Sequence, residues 1–307
     1  MNGSALTSSA VNNSAVNNSA VNNSAVDGSA VPSLDRLLTV LADVGPQVVA
    51  FSGGVDSSLL AVAASRALPQ GRMLAATADS PSLANGELDE CRAIAAEWGF
   101  DWRSVKTDEL ADDRYVANEG DRCYWCKSAL MDELEPIAAE HDAVVTLGVN
   151  LDDLGDHRPG QEAAAQRGAR FPLVEAGLTK AGVRTLARQL GLSVWDRPAM
   201  PCLSSRIPYG TAVTVSLLSR VDRAEQAIRA LGFGDLRVRH YGDTARIELP
   251  AADLGRAATM ADDLVRAVTA TGYDYVTLDL AGLRSGNLNT ALGTTALGAT
   301  APHESTR

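Results

Sequence analysis

Val48-Val49-Ala50-Phe51-Ser52-Gly53-Gly54-Val55-Asp56-Ser57-Ser58 decides the fold. A short apolar run stops at Ser-Gly-Gly, and the helix-forming segment Leu59-Leu60-Ala61-Val62-Ala63-Ala64 follows. This order predicts a buried strand, a tight glycine turn and a helix start. Two glycines let the backbone approach a ligand, and the first N–H groups of the helix lack intrahelical partners. Such a terminus binds phosphate. Asp56 would repel a phosphate directly, so its expected role is through Mg2+ or as a cap for the loop. Ser52, Gly53, Gly54, Val55, Asp56 and Ser57 are therefore the first candidate nucleotide-binding residues.

Outward from this stretch, strand-like and helix-like segments alternate. An amphipathic helix is expected over residues 34–44, a strand over 73–77, a helix over 86–98 and a short strand over 102–105. A helix over 128–140 leads into a fourth strand over 143–148, and a helix over 179–190 into a short fifth strand near Val194. Repeated strand–helix units predict an α/β fold with a doubly wound parallel sheet. Ligands bind such sheets at the carboxyl ends of the strands, where each motif below begins. After Tyr209 the pattern changes to a helix over 216–231, a hairpin over Gly242-Asp243, a helix over 251–271 and a strand over 275–280. That divides the chain into a nucleotide-binding domain over 32–210 and a small α+β domain over 211–284. Residues 1–31 carry a five-residue Ser-Ala-Val-Asn-Asn repeat, and residues 285–307 are rich in Gly, Thr, Ala and Asn. Both tails are expected to be disordered.

The 307 residues carry 27 Lys and Arg against 38 Asp and Glu, a net charge of -11. Without a long basic run, this balance argues against a broad phosphate footprint on tRNA or DNA. No stretch approaches the apolar length of a membrane span, and no secretory signal opens the chain. A cytoplasmic enzyme is expected. In that setting the four cysteines serve metal binding or catalysis rather than disulfides.

Asp79 ends the second strand facing the glycine loop and is a further candidate nucleotide-binding residue, and Ser80 or Ser82 is expected to cap the next helix. In Arg122-Cys123-Tyr124-Trp125-Cys126-Lys127, two thiols lie on one side of a turn, able to ligate one metal ion or cluster or to exchange as a dithiol. The flanking cations are expected to favour thiolates. Asn150, Asp152, Asp153 and Asp156 crowd the loop leaving the fourth strand, a density able to coordinate Mg2+ or orient a nucleotide. His157 in that loop is expected to be a plain hydrogen-bonding residue. Pro201-Cys202-Leu203-Ser204-Ser205-Arg206 makes a stiff, polar, cationic setting for a nucleophilic or cluster-binding cysteine. Cys91, inside a helix, reads as structural. Arg237 and Arg239 alternate along one strand and so share a face suited to phosphate.

Ser-Gly-Gly-Val-Asp-Ser-Ser after a strand resembles the PP-loop of ATP pyrophosphatases, the adenine nucleotide alpha-hydrolase-like enzymes that adenylate a substrate oxygen and release pyrophosphate. It lacks the Lys of Gly-x-x-x-x-Gly-Lys-Ser/Thr, which disfavours γ-phosphate transfer. With Cys123, Cys126, Cys202, residues 150–160, Phe171 to Lys180 and Pro198 to Gly210, the chain over 34–284 resembles the LarE family. These are ATP-dependent sulfurtransferases of nickel-pincer nucleotide cofactor biosynthesis. The resemblance implies a pyridinium biscarboxylic acid mononucleotide as substrate. It also implies ATP and Mg2+, adenylation of a ring carboxylate, and replacement of AMP by sulfur. Cys202 matches the family's sulfur-donating cysteine, which in a sacrificial route becomes dehydroalanine. Cys123 and Cys126 beside it resemble the branch that holds a 4Fe–4S cluster and takes sulfur from a hydrosulfide source, the route expected here. Glu225 and Glu248 match the family's metal carboxylates, and Arg237 and Arg239 its phosphate-binding pair, with Arg206 grouped beside them. A homo-oligomer is implied as well. The alternatives are a tRNA thiolase, an ammonia-using PP-loop ligase, and a non-catalytic nucleotide-sensing or zinc module.

Overall fold

The computed structural model describes residues 32–155 and 158–284. The two tails, Asp156 and His157 lie outside the described residues. The first half builds α1 (Leu34–Val44), β1 (Gln47–Ala50), α2 (Val55–Ala67), β2 (Met73–Asp79), α3 (Glu87–Trp98), β3 (Asp101–Lys106), α4 (Asp113–Val116), α5 (Arg122–Glu140) and β4 (Val144–Leu147). Then come α6 (Pro159–Gln166), α7 (Pro172–Glu175) and α8 (Lys180–Leu190). The last part holds α9 (Val215–Ala230), β5 (Arg237–Tyr241), β6 (Thr244–Glu248), α10 (Leu254–Thr259), α11 (Ala261–Thr269) and β7 (Tyr275–Leu278).

The first four strands form one parallel sheet in the order β3-β2-β1-β4. The chain steps outward from β1 to β3 and then returns to the other side of β1, so strand order reverses there. A crevice opens at the carboxyl ends of β1 and β4. Alternation sends Val49 into the layer made by α1, α2, α3 and α8, and Val48 into the layer made by α5 and α6. α2 is buried on nearly every side from Leu59 to Ala64, as a helix covered by both sheet and helices must be. The expected α/β sheet is present. Among the described residues, no helix is long and apolar enough to cross a membrane.

Three expectations are corrected. No fifth strand forms near Val194: the backbone there closes turns on itself (Trp195 N–H to Leu192 O, Arg197 N–H to Val194 O). The open edge of β4 is taken by a single bridge to Arg170 instead. α5 begins at Arg122 rather than near 128, which puts Cys123 and Cys126 on a helix and not on a turn. Their segment is a poor helix former, but buried Arg122 anchors it by bonds to Asn118 Oδ1 and the Ser204 carbonyl. The long helix expected over 251–271 breaks at Met260 into α10 and α11, after a 3-10 turn at Ala251–Asp253.

The last three strands form a second sheet, β5-β6-β7. β5 and β6 make the expected hairpin, with Gly242 at φ 60° in its turn, and β7 pairs parallel to β6. A separate apolar cluster of α9, α10 and α11 covers this sheet.

One glycine fixes the crevice. A Cβ at Gly148, just past β4, would stand 2.7 Å from the Ser57 amide nitrogen and 2.9 Å from the Asp56 carbonyl carbon. Both are backbone atoms of the first turn of α2 and cannot swing aside. Gly148→Ala should cost about 1–3 kcal/mol in a denaturant melt. Gly155→Ala, where a Cβ meets nothing within 4 Å, should stay within about 0.5 kcal/mol of the wild type.

Candidate active site

A cavity of about 470 Å³ opens over the carboxyl ends of β1, β2 and β4. Ser52, Gly54, Val55, Asp56 and Ser57 form its floor. The turn needs glycine at position 53, whose φ is 69° and whose added Cβ would press on Cys91 Sγ at 3.1 Å. Buried Cys91 is thus packing beneath the loop, and burial pushes its thiol up to about 11. Ser57 Oγ accepts from the Ser52 amide at 3.2 Å and donates to the Gly54 carbonyl at 3.1 Å, which holds the loop closed. Gly54 caps α2 without a side chain, leaving the first amides open toward the cavity.

Asp56 in this first turn bonds Lys180 Nζ through Oδ2 and accepts from Asn150 Nδ2 at 3.1 Å through Oδ1. Lys180 lines the cavity and is half-exposed. The sequence reading gave it no role. The signal was present, since a lysine directly after the Thr179 cap sits at the helix end that disfavours cations. Asp152 accepts from the Lys180 amide at 2.8 Å, and Asp153 accepts from Asn150 and pairs with Arg158 at 2.9 Å. These three residues therefore brace the loop that carries Lys180 to Asp56. Asp79 ends β2 outside the cavity lining. Ser80 and Ser82 do not cap α3. Both donate to Glu109 instead, and Gly86 takes the cap position.

The sulfur-bearing residues stand on the opposite wall. Cys126 and Cys202 line the cavity, and Cys123 lies one turn earlier on α5 with its side chain exposed. Burial, then the charge of Cys202, pushes the Cys126 thiol up to about 12. The neighbouring Lys127 opposes this only weakly, so the expectation that flanking cations favour a Cys126 thiolate is corrected. In donor chemistry three thiols suit a 4Fe–4S cluster; Cys126 and Cys202 line one cavity, and the charges of Cys202 and Cys123 both act on Arg122. Among the described residues, no group of three or more His, Cys, Asp or Glu side chains is set to hold a metal ion. The thiols would have to close on a cluster to bind it.

Arg206 and Arg239 hold the Cys202 loop from the other side. Arg206 reaches the Pro201 carbonyl, the Cys202 carbonyl at 3.2 Å and Ser205 Oγ at 3.0 Å, and Arg239 the Ser205 carbonyl at 2.6 Å. Each arginine is backed by a fully buried carboxylate. Arg206 pairs with Glu225 at 2.8 Å and Arg239 with Glu248 at 3.0 Å, with Arg229 and Arg246 as second partners. Glu225 also accepts from the Val238 amide at 3.1 Å. Arg237 points to the Arg284 carbonyl at 3.0 Å. The structure thus brings Arg206, Arg239, Glu225 and Glu248 together, as mutual partners.

Glu87, at the start of α3, lines the cavity and was missed by the sequence reading. Burial raises its carboxyl from 4.5 to about 7, against the opposing charge of Arg206. The fold therefore binds this proton more tightly than the unfolded chain does. The associated stability is complete below about pH 4.5 and is lost as pH rises through about 7. Glu87→Gln should leave the melting temperature unchanged near pH 4.5 and raise it relative to wild type at about pH 8.

No protein-family model matches the chain. Over 263 residues it is 44% identical to an uncharacterized protein of Synechocystis sp., covering 84% of this chain and 97% of that protein. It is 25% identical over 240 residues to an uncharacterized protein of Methanocaldococcus jannaschii, covering 78% of this chain and 90% of the relative. Over 257 residues it is 39% identical to the pyridinium-3,5-bisthiocarboxylic acid mononucleotide synthase of Lactiplantibacillus plantarum, covering 83% of this chain and 93% of that enzyme. At that identity and coverage the chain belongs to the LarE family, that of the pyridinium-3,5-bisthiocarboxylic acid mononucleotide synthase.

Proposed function

We propose that this enzyme, an ATP-dependent sulfurtransferase, converts the carboxylates of pyridinium-3,5-biscarboxylic acid mononucleotide into thiocarboxylates for nickel-pincer cofactor synthesis. The observation that carries the reading is one cavity lined both by the glycine loop with the start of α2 and by Cys126 and Cys202. A carboxylate is a poor electrophile. Its oxygen attacks the α-phosphorus of ATP and pyrophosphate leaves, giving an acyl-adenylate whose carbonyl carbon accepts a sulfur nucleophile as AMP departs. The amides at the start of α2 and the Lys180 ammonium face the charge on the departing pyrophosphate. ATP would enter with Mg2+, which Asp56, a carboxylate on the cavity floor, would hold.

For the sulfur step, Cys123, Cys126 and Cys202 would hold a 4Fe–4S cluster, which when bound supplies an open iron for hydrosulfide. The alternative uses Cys202 itself: its sulfur attacks the acyl carbon, and elimination then breaks its Cβ–S bond to leave dehydroalanine. The Cys202 loop and its carbonyl clamps serve either route. In the same reading, Arg206, Arg237 and Arg239 anchor the substrate phosphate. For Glu225 and Glu248 to hold a metal they would release Arg206 and Arg239, which frees those guanidinium groups for the phosphate. The acidic chain favours a mononucleotide over tRNA as substrate.

Pyrophosphate release should require both ATP and the biscarboxylic mononucleotide, and Lys180→Ala should lower its kcat by about 100-fold. ATP binding without pyrophosphate release would return the protein to a sensing role. After anaerobic purification, about four irons with matching acid-labile sulfide should accompany each chain and be lost in Cys202→Ala. Zinc or no metal, with Cys202 converted to dehydroalanine during turnover, would select the sacrificial route.

A further inference from the structure

A buried polar cluster that neither the phosphate loop nor the thiols account for runs inward from the cavity lining at Ser80, Ser82 and Thr107. Glu109, 1% exposed, sits in a single 3-10 turn after β3. Three hydroxyls converge on it: Ser80 at 2.6 Å and Ser82 at 2.8 Å on Oε1, and Thr107 at 3.0 Å on Oε2. Ser82 in turn contacts the Tyr115 hydroxyl at 2.5 Å, Tyr115 contacts Ser204 Oγ at 2.5 Å, and Ser204 Oγ donates to Ser82 Oγ at 3.1 Å. Ser82, Tyr115 and Ser204 are all buried to within 2%. Ser204 is two residues from Cys202, and Ser82 follows β2 on the cavity rim.

The proton count gives this cluster a direction. Ser80, Ser82 and Thr107 each give their one hydroxyl proton to Glu109, so Tyr115 and Ser204 supply two protons for the three sides of the Ser82–Tyr115–Ser204 triangle, and one side is a contact between oxygens without a proton. All donors point toward the carboxylate. Burial pushes the Tyr115 phenol up, which keeps its proton in place, and the charges of Cys202 and Cys126 act on the same hydroxyl. Backbone bonds follow the same path. The Leu203 amide donates to the Ser82 carbonyl at 2.8 Å, and Arg122 Nη1 donates to the Ser204 carbonyl at 2.9 Å. Asn118, held at φ 55°, donates to the Pro208 and Thr211 carbonyls at 2.8 and 2.9 Å.

A buried network in which every hydroxyl has an acceptor for its proton is held in place, and losing one hydroxyl strands its partners. We propose that Tyr115, fixed by Ser82 and Glu109, is a positioning residue for the sulfur step, holding the loop that bears Cys202 in register with the nucleotide wall. The inference rests on the sulfurtransferase reading. It assigns to Tyr115 the sulfur-transfer half of the reaction and not the adenylation half, since the Tyr115 hydroxyl touches the Cys202 loop and no part of the phosphate loop.

Tyr115→Phe keeps the ring in its apolar cluster and removes only the bridging hydroxyl. Substrate-dependent pyrophosphate release should stay within about twofold of wild type while thiocarboxylate formation falls at least about tenfold. Alkylation of Cys202 by iodoacetamide, followed by peptide mass spectrometry, should quicken severalfold, with buried Cys91 still protected as the internal check on folding. Ser204→Ala cuts the same triangle from the loop side and should reproduce the split if Tyr115→Phe does not fold. A parallel loss of pyrophosphate release and thiocarboxylate in both variants would mark a general structural role and overturn the proposal. Unchanged sulfur transfer and unchanged Cys202 alkylation in both would overturn it too. If the wild type forms no thiocarboxylate, the functional reading fails, and the alkylation comparison still decides whether Tyr115 holds the loop.

Discussion

The structure depends on the backbone of β4 lying directly against the first turn of α2. That contact is possible because position 148 has no side chain. It sets the floor of the cavity at the point where strand order reverses, with β1 feeding the glycine loop and β4 feeding the bracing loop. The open amides of α2 then face outward between two strand ends. Asn150, leaving β4, reaches Asp56 across this junction, and Lys180 completes it from the start of α8. A lysine ammonium drawn to the start of a helix opposes the helix dipole and adds little stability by itself. Under the proposed reaction, an anionic ligand would take one partner from the other.

The Cys202 loop shows a different solution to burial. Leu203 and Ile207 bury its apolar side, and its backbone carbonyls need donors. Arg206 and Arg239 supply them from one side, Asn118 and Arg122 from the other. Buried guanidinium groups need counter-charges, and Glu225 and Glu248, both fully buried, provide them. Ion pairs of this kind contribute little net stability, because desolvation offsets their attraction, but removing one partner is costly. They specify the position of the loop more than they strengthen the fold. The second sheet, which contributes Arg239 and Glu248, is thereby tied to the wall of the first.

Much of this was legible in the residues. The strand, turn and helix at 48–58, the alternation that follows and the hairpin at Gly242 are local patterns, and the structure has each of them. The errors also have a common cause. Val194 looked like a strand because its neighbours are apolar, yet a strand needs an open edge, and Arg170 occupies the one beside β4. The start of α5 reads as a turn from its Cys-x-x-Cys spacing, yet bonds from Arg122 to residues 118 and 204 fix it as helix. Cys126 looked cation-activated because Lys127 is adjacent in sequence, whereas burial governs its thiol.

By itself the sequence determined the glycine turn before α2, the parallel sheet and the family motifs, because each is written in residues close together along the chain. Tertiary structure alone decided that Lys180 meets Asp56 across 124 residues, and that Arg206 and Arg239 are held by Glu225 and Glu248. It also decided that Glu109 reaches the Cys202 loop through Ser82 and Tyr115. The reason is physical. Periodicity and turn chemistry act over a few residues, whereas a buried charge or hydroxyl takes whichever partner the packed core brings within hydrogen-bond distance.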